Sequence, residues 1–104
     1  MSNYESVHID STSRIEVTVE DDTGAPTDTA TVTLENIFSD RTGSSVSGLS
    51  YPLTFSSVGS GVYTLKVSPA SLRENDVYVF VLKAVNGSDT SVWHESRTAR
   101  YQPN

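Results

Sequence analysis

The stretch that decides the fold is Val77-Tyr78-Val79-Phe80-Val81-Leu82-Lys83-Ala84-Val85, which is followed by Asn86-Gly87-Ser88-Asp89 and then by Ser91-Val92-Trp93-His94-Glu95. β-Branched and aromatic residues favour strands, and Asn-Gly between two such runs is a strong hairpin signal. We expect a type I′ turn at Asn86-Gly87, because both residues tolerate positive φ. The first run is apolar on both faces, as in an interior strand. The chain is therefore predicted to be built on antiparallel sheet.

Apolar residues alternate with polar ones through most of the remaining chain. Such a period of two indicates strands with one buried and one solvated face. The alternating sets are Ile15/Val17/Val19, Ala30/Val32/Leu34, Leu49/Tyr51/Leu53/Phe55 and Tyr63/Leu65. Strands thus recur about every 10–15 residues with turn formers between them, which is typical of a β-sandwich.

Two prolines modify this pattern. Pro52 has no N–H for a ladder hydrogen bond, so its strand is predicted to lie at a sheet edge. Ser68 and Pro69 could serve as the N-cap and first residue of a short helical turn over residues 68–73.

Length and charge exclude several functions. The chain has 104 residues and no cysteine, so we expect one domain without disulfides. Residues 1–50 carry nine acidic and two basic side chains, and residues 51–104 carry four acidic and five basic ones, which together give a net charge of −6. Nucleic-acid binders need clustered Lys and Arg, and only Arg97 and Arg100 are close in sequence. The polar N-terminus and the absence of a long apolar run predict neither a secretion signal nor a membrane span.

No group of residues has the spacing of a metal or catalytic site. His8 and His94 are far apart in sequence, and neither has a partner at zinc-ligand spacing. One turn gathers carboxylates that could bind calcium, namely Glu20, Asp21, Asp22 and Asp28. Aspartate also hydrogen-bonds its own backbone in turns without a metal, and the spacing does not match a dedicated calcium loop. We predict a solvated, metal-free turn, no cofactor and no enzymatic activity.

Three other features admit two interpretations each. Gly59-Ser60-Gly61 lacks the G-x-S-x-G pattern of a nucleophile turn and is interpreted as a hairpin turn. Asn86-Gly87-Ser88 matches the glycosylation sequon, which we interpret as coincidental without a secretion signal. A sugar-stacking platform would require several aromatic residues on one exposed face, whereas core packing is the default for large rings. The aromatic residues considered for such a platform are Trp93, Tyr51, Tyr63 and Tyr78.

Several motifs occur in a characteristic order over residues 14–101: Ile15-Glu16-Val17-Thr18-Val19, Asp22-Thr23-Gly24-Ala25-Pro26, Ala30-Thr31-Val32-Thr33-Leu34, Gly59-Ser60-Gly61-Val62-Tyr63-Thr64-Leu65 and Tyr78-Val79-Phe80-Val81-Leu82-Lys83-Ala84, then a strand with Trp93. This order resembles small immunoglobulin-like proteins of tailed bacteriophages. Similar turns also occur in bacterial surface Ig-like and macroglobulin-like repeats. The absence of a signal sequence and of a neighbouring repeat favours the phage group.

The resemblance implies an all-β, Ig-like antiparallel β-sandwich of about seven strands over residues 14–101. Residues 1–13 are expected to be a polar arm without a core-forming pattern, and residues 102–104 a short tail. The implied function is a non-enzymatic virion part, either a capsid decoration or cement protein or a neck or tail accessory. Its partners would be the major capsid protein or neck and tail proteins, with homo-oligomers also conceivable, and assembly would take place in the host cytoplasm. The alternative is a carbohydrate- or receptor-binding module of a host-adhesion device.

Overall fold

The computed structural model describes residues 5–9 and 12–101, which form eight strands and no helix. The strands are β1 (Glu5–Ile9), β2 (Ser13–Thr18), β3 (Thr31–Ser39), β4 (Leu53–Thr54), β5 (Ser56–Gly59), β6 (Val62–Val67), β7 (Val77–Asn86) and β8 (Asp89–Tyr101). One sheet has the order β1-β8-β7-β3-β4, and the other has the order β2-β6-β5. The predicted all-β sandwich is therefore confirmed. Within these residues there is also no helix of the length and apolarity that crossing a membrane requires.

The core lies between the two sheets and follows the predicted alternation. Along β2, Ser13, Ile15 and Val17 are buried while the residues between them are exposed. Antiparallel pairing with β6 places Ile15 opposite Leu65 and Val17 opposite Tyr63. Tyr63 is buried, whereas Leu65 is only half-buried at the margin of the core. Its burial therefore differs from that of the other inward-facing residues.

The hairpin of β7 and β8 is confirmed, but its turn is shifted by one residue. Asn86 pairs with Asp89, so Gly87 and Ser88 are the two central residues. Gly87 has a φ of 63°, and neither Asn86 nor Ser88 has positive φ. Glycine in the left-handed region at the first central position is the arrangement of a type II′ turn. The predicted type I′ turn at Asn86-Gly87 is therefore wrong.

A turn of the type I′ kind instead joins β5 and β6. Ser60 and Gly61 are its central residues, and both have positive φ, 56° and 76°. The backbone at Gly61 lies against the β2–β3 loop, because its C=O accepts a hydrogen bond from Val19 N at 2.8 Å. A Cβ at Gly61 would lie 2.7 Å from Val19 O, so only glycine fits there without backbone movement.

The N-terminal segment differs most from its prediction. Strand β1 pairs in parallel with β8 at the edge of the larger sheet, so the sandwich is not wholly antiparallel. Val7 is fully buried and Ile9 is nearly so, and both belong to the core. The expectation that residues 1–13 contribute nothing to the core is therefore wrong for β1. Residues 1–4, 10, 11 and the predicted tail, 102–104, lie outside the described residues.

The proline predictions had different outcomes. Strand β4, which follows Pro52, lies at the edge of the larger sheet as predicted. It comprises only Leu53–Thr54, so the alternating strand predicted from Leu49, Tyr51, Leu53 and Phe55 is wrong for most of its length. The next residue, Phe55, is buried and donates its N–H to Val32 O before the chain enters the smaller sheet as β5. The predicted helical turn over residues 68–73 is wrong, because this segment is an irregular connection between β6 and β7.

Candidate functional site

One end of the sandwich gathers five of the thirteen acidic side chains of the protein. The β2–β3 loop (19–30), the turn at 60–61 and the β7–β8 turn meet there, since Gly61 N donates to Asp28 Oδ1 at 2.7 Å and Thr29 Oγ1 donates to Asn86 Oδ1 at 3.5 Å. These segments, with Asp89 directly after the last turn, hold five acidic side chains and no lysine or arginine. We call this region the acidic end; its charges are Glu20, Asp21, Asp22, Asp28 and Asp89.

The carboxylates of the acidic end organise their own loop. Asp21 Oδ1 accepts hydrogen bonds from Thr23 Oγ1 at 2.6 Å, Thr23 N at 2.9 Å and Ala25 N at 3.1 Å. The Thr23 hydroxyl, followed by the Ala25 and Thr23 amides, lowers the pKa of Asp21 below its ordinary value of 3.8. These bonds favour the charged carboxylate. Residues 5–9 and 12–101 contain no group of three side chains placed to hold a metal ion, and the metal-free turn stays a prediction.

A pocket of about 270 Å³ lies at the opposite end, between the β3–β4 and β6–β7 loops. Seven hydroxyl-bearing residues line it together with Arg41 and Arg73. No carboxylate is present among the described lining residues, although the whole chain has a charge of −6. We call this the hydroxyl pocket; its hydroxyls come from Ser39, Thr42, Ser44, Ser45, Ser47, Ser71 and Tyr78.

Local hydrogen bonds fix the first wall of the hydroxyl pocket. Ser39 is buried at the end of β3, and its Oγ accepts the N–H of Thr42 at 3.2 Å. Its backbone N–H donates to Ser44 O at 2.9 Å, and its carbonyl accepts the N–H of Gly43 at 2.7 Å. Thr42 Oγ1 accepts the N–H of Ser44 at 3.2 Å. The loop is thus a closed turn rather than a freely extended segment.

The second wall is tied to the first and to the core. Ala70 N donates to Ser47 O at 3.3 Å, which connects the two loops. The buried Tyr78 accepts the N–H of Arg73 on its phenolic oxygen at 2.8 Å. Arg41 Nε lies 3.1 Å from Asp76 Oδ2, an ion pair that also joins the two loops. The pocket is therefore formed by hydrogen bonds already present in the free protein.

The outer face of β7 is unusually apolar, whereas the outward residues of its neighbours β3 and β8 are mostly polar. An antiparallel strand with one solvated face normally alternates apolar with polar residues. Phe80, Leu82 and Ala84 of β7 face the core, yet four of the five outward positions on this strand are also valine. No described element covers this face. We call it the valine face; it consists of Val77, Val79, Val81 and Val85 of β7, with Phe38 of β3 and Val92 of β8.

The two arginines that are close in sequence have different environments. Arg97 is 5% exposed, and its guanidinium lies 5.4 Å from the ring centroid of Phe80. Its Nη1 donates to Arg14 O at 3.4 Å, and its Nη2 lies 3.9 Å from Glu95 Oε1. Arg100 is exposed and donates to Asn75 Oδ1 at 3.3 Å. Arg97 belongs to the core, so these two residues do not form a joint cationic surface.

The histidines and the other candidate motifs are not brought together. His8 lies on β1 opposite Arg100, whereas His94 lies six residues earlier on β8, roughly 20 Å away along an extended strand. His94 instead makes an edge-to-face contact with Phe38, with ring centroids 6.4 Å apart. Ser60 is the centre of a turn, and the sequon of residues 86–88 forms the exposed β7–β8 turn.

The aromatic residues considered as a sugar platform do not share an exposed face. Tyr63 and Tyr78 are buried. The Tyr63 hydroxyl donates to Thr27 O at 2.8 Å and accepts the N–H of Ala30 at 3.1 Å, so this residue anchors the β2–β3 loop. Tyr51 and Trp93 are half-buried and pack against the core. The aromatic rings therefore serve mainly in packing.

Sequence reasoning missed the hydroxyl pocket and did not interpret the valine face as a surface. Residues 39–45 are turn formers of the kind expected in any exposed loop. A usable signal was present, because both pocket loops combine serine with an arginine, Arg41 in one and Arg73 in the other. The signal for the valine face was that β7 has apolar residues on both of its faces.

Comparison of the chain with protein-family models, with curated proteins and with solved structures gave no match.

Proposed function

We propose that this chain is a non-enzymatic structural accessory protein of a tailed-phage virion, either a capsid decoration protein or a neck or tail accessory. The proposal combines the resemblance to Ig-like phage proteins with the valine face, which is the observation that carries it. Its partner would be a major capsid, neck or tail protein, met during assembly in the host cytoplasm. A small rigid module repeated over a lattice gains avidity from many weak contacts.

The valine face supports attachment because its composition has no explanation within the described chain. An interior strand that is apolar on both faces is expected where both faces are covered. On the outer face Val79 is 8% exposed, Val77, Val81 and Val85 are half-buried, and Val92 of β8 is 59% exposed. Apolar surface of this kind favours burial against a partner.

Charge defines the expected chemistry of the partner surface. The valine face continues toward the acidic end, because Val92 lies three residues from Asp89 on β8. A complementary surface would present apolar side chains beside Lys or Arg. Such complementarity mainly steers association and fixes orientation. Binding is accordingly expected to weaken as salt shortens the screening length, which is about 8 Å at physiological ionic strength.

A pair of matched variants tests the attachment. Val92→Asp introduces a carboxylate on the valine face, and Val58→Asp introduces the same change on the edge strand β5, where Val58 is 58% exposed. Exposed substitutions of this kind change stability by only about 0.5 kcal/mol. Each protein is added to purified particles that lack it, and occupancy is measured by quantitative mass spectrometry. We expect reduced occupancy for Val92→Asp alone.

The same experiment can reject the proposal in two ways. Absence of the wild-type chain from purified virions would remove the structural role. Equal occupancy of the two variants would remove the valine face as the attachment surface. Sedimentation of the free protein identifies the other occupant: a wild-type dimer that Val92→Asp dissociates would assign this face to a second copy of the chain.

A further inference from the structure

We propose that the hydroxyl pocket binds a small ligand through an oxyanion, meaning a carboxylate, sulfate or phosphate group. This site is distinct from the valine face and does not depend on the proposed virion role. Its volume of about 270 Å³ is at the lower limit of small-molecule sites, which suits one anionic group and its immediate substituents.

Three hydroxyls of the pocket have a proton available to donate to a ligand. Ser39 Oγ, Thr42 Oγ1 and Tyr78 Oη each already accept a backbone N–H from the surrounding loops. A hydroxyl has one proton to donate, and no hydrogen bond among the described residues uses the protons of these three. Each can therefore still donate one hydrogen bond, and an oxyanion is the strongest acceptor that a ligand can present.

The two arginines supply the matching charge. Arg41 donates its Nε–H to Asp76 Oδ2 at 3.1 Å, which leaves the outer N–H of each Nη atom, at the end of the guanidinium away from Nε, unused by this ion pair. This terminal pair has the fork geometry that recognises carboxylate or phosphate in a bidentate manner. Arg73 is exposed and makes no ion pair within residues 5–9 and 12–101. Since Arg41 is already paired with Asp76, the positive charge that the lining offers a ligand comes mainly from Arg73.

The pocket is also preorganised. Its walls are connected by the Ala70–Ser47 hydrogen bond and the Arg41–Asp76 ion pair, and its floor contains the buried Ser39 and Tyr78. A ligand would consequently order few additional groups on binding, which lowers the entropic cost. A neutral sugar fits less well, because the lining has no carboxylate or amide side chain to accept its hydroxyl protons.

The test is a titration of the isotopically labelled full-length protein, followed by amide chemical shifts at constant ionic strength. The probes are sodium sulfate, sodium phosphate, glucuronate and, as the neutral control, glucose. We expect saturable shifts in residues 39–47 and 70–78 below about 10 mM of at least one anion, and none with glucose. Saturation by sulfate or phosphate identifies a tetrahedral anion as the ligand group, and saturation by glucuronate alone identifies a sugar carboxylate.

Variants separate specific binding from general charge. Arg73→Gln should weaken the affinity about tenfold or more, because it removes a charge-assisted contact. Arg100→Gln makes the same charge change at the same end without altering the pocket lining, and it should bind as wild type. Absence of saturable shifts, equal binding of glucose, or equal loss in both variants would overturn the proposal.

Discussion

Replacing Phe80 by alanine tests the core most sharply. Phe80 is fully buried in the middle of β7, opposite Ile37 of β3. Truncating a buried phenylalanine costs about 3–5 kcal/mol from lost burial and the cavity. The guanidinium of Arg97 lies 5.4 Å from the ring centroid, and loss of this largely desolvated contact adds about 0.5–2 kcal/mol. The expected cost of about 3.5–7 kcal/mol is a large share of a typical total stability of about 5–15 kcal/mol.

Two companion variants make this expectation specific. Leu65 is only half-buried, so solvent reaches the space left by Leu65→Ala. Full burial of a leucine contributes about 1.5–3 kcal/mol, and half of that gives about 1–1.5 kcal/mol for Leu65→Ala. Phe80→Leu retains most of the apolar volume but removes the ring face under Arg97, so we expect about 1–3 kcal/mol.

The assay is equilibrium unfolding in urea, followed by circular dichroism and by the fluorescence of Trp93, the single tryptophan. Coincident transitions by both probes would justify a two-state free energy. The order of cost should be Phe80→Ala well above Phe80→Leu and Leu65→Ala. If Leu65→Ala costs as much as Phe80→Ala, the position of the core between the sheets is wrong.

Three further outcomes are expected. Removing Val7 by Val7→Ala should destabilise the fold by roughly 2 kcal/mol in urea unfolding, because its side chain is fully buried; a cost near zero would indicate that β1 does not contribute to the core. Gly61→Ala should lower the melting temperature more than Gly87→Ala, since both glycines have positive φ but only Gly61 has backbone 2.7 Å from the added Cβ; equal losses would contradict the close approach to Val19. The charged form of Asp21 is favoured in the fold, so its stabilising effect should be present above pH 3.8 and be lost as the pH falls through its lower folded pKa. The melting temperature of Asp21→Asn should therefore approach that of the wild type in acid. A calcium-dependent rise in the wild-type melting temperature would contradict the metal-free turn if the double variant Asp21→Asn with Asp22→Asn abolishes it.

Strands β2, β3, β6 and β7 could be predicted because their pattern is local. The alternation of Leu49, Tyr51, Leu53 and Phe55 was misleading, because only Leu53–Thr54 of that stretch forms a strand. Strand β1 was missed because its pairing is not local. It offers only Val7 and Ile9 as alternating apolar residues, and its partner β8 is about ninety residues later in the chain and parallel to it. Parallel pairing at such a distance leaves no turn signal in the sequence. The burial of Val7 and Ile9 can be inferred only once the pairing of β1 with β8 is known.

The turn positions show a second limit of sequence reasoning. The Asn-Gly pair predicts the β7–β8 hairpin but not its register. Glycine is suited both to a type I′ turn and to the first central position of a type II′ turn. The hydroxyl pocket was missed because its two loops are separated by β4, β5 and β6. Serine, threonine and glycine in a loop are expected for any exposed turn. Only their meeting with Arg41 and Arg73 across the two loops distinguishes them from solvent-facing residues.

The positions of the two proposed surfaces make the proposals independently testable. The valine face continues into the acidic end through the β7–β8 hairpin, whereas the hydroxyl pocket lies at the opposite end of a molecule about 40 Å long. Val92 lies toward the acidic end, although Val77 and Phe38 at the other end of the valine face are sequence neighbours of the pocket residues Tyr78 and Ser39. Val92→Asp should lower virion occupancy without changing anion affinity, and Arg73→Gln should lower anion affinity without changing occupancy. If either variant alters both readouts, the two surfaces belong to one interface, and the division of this small sandwich into an attachment face and a separate ligand pocket would be incorrect.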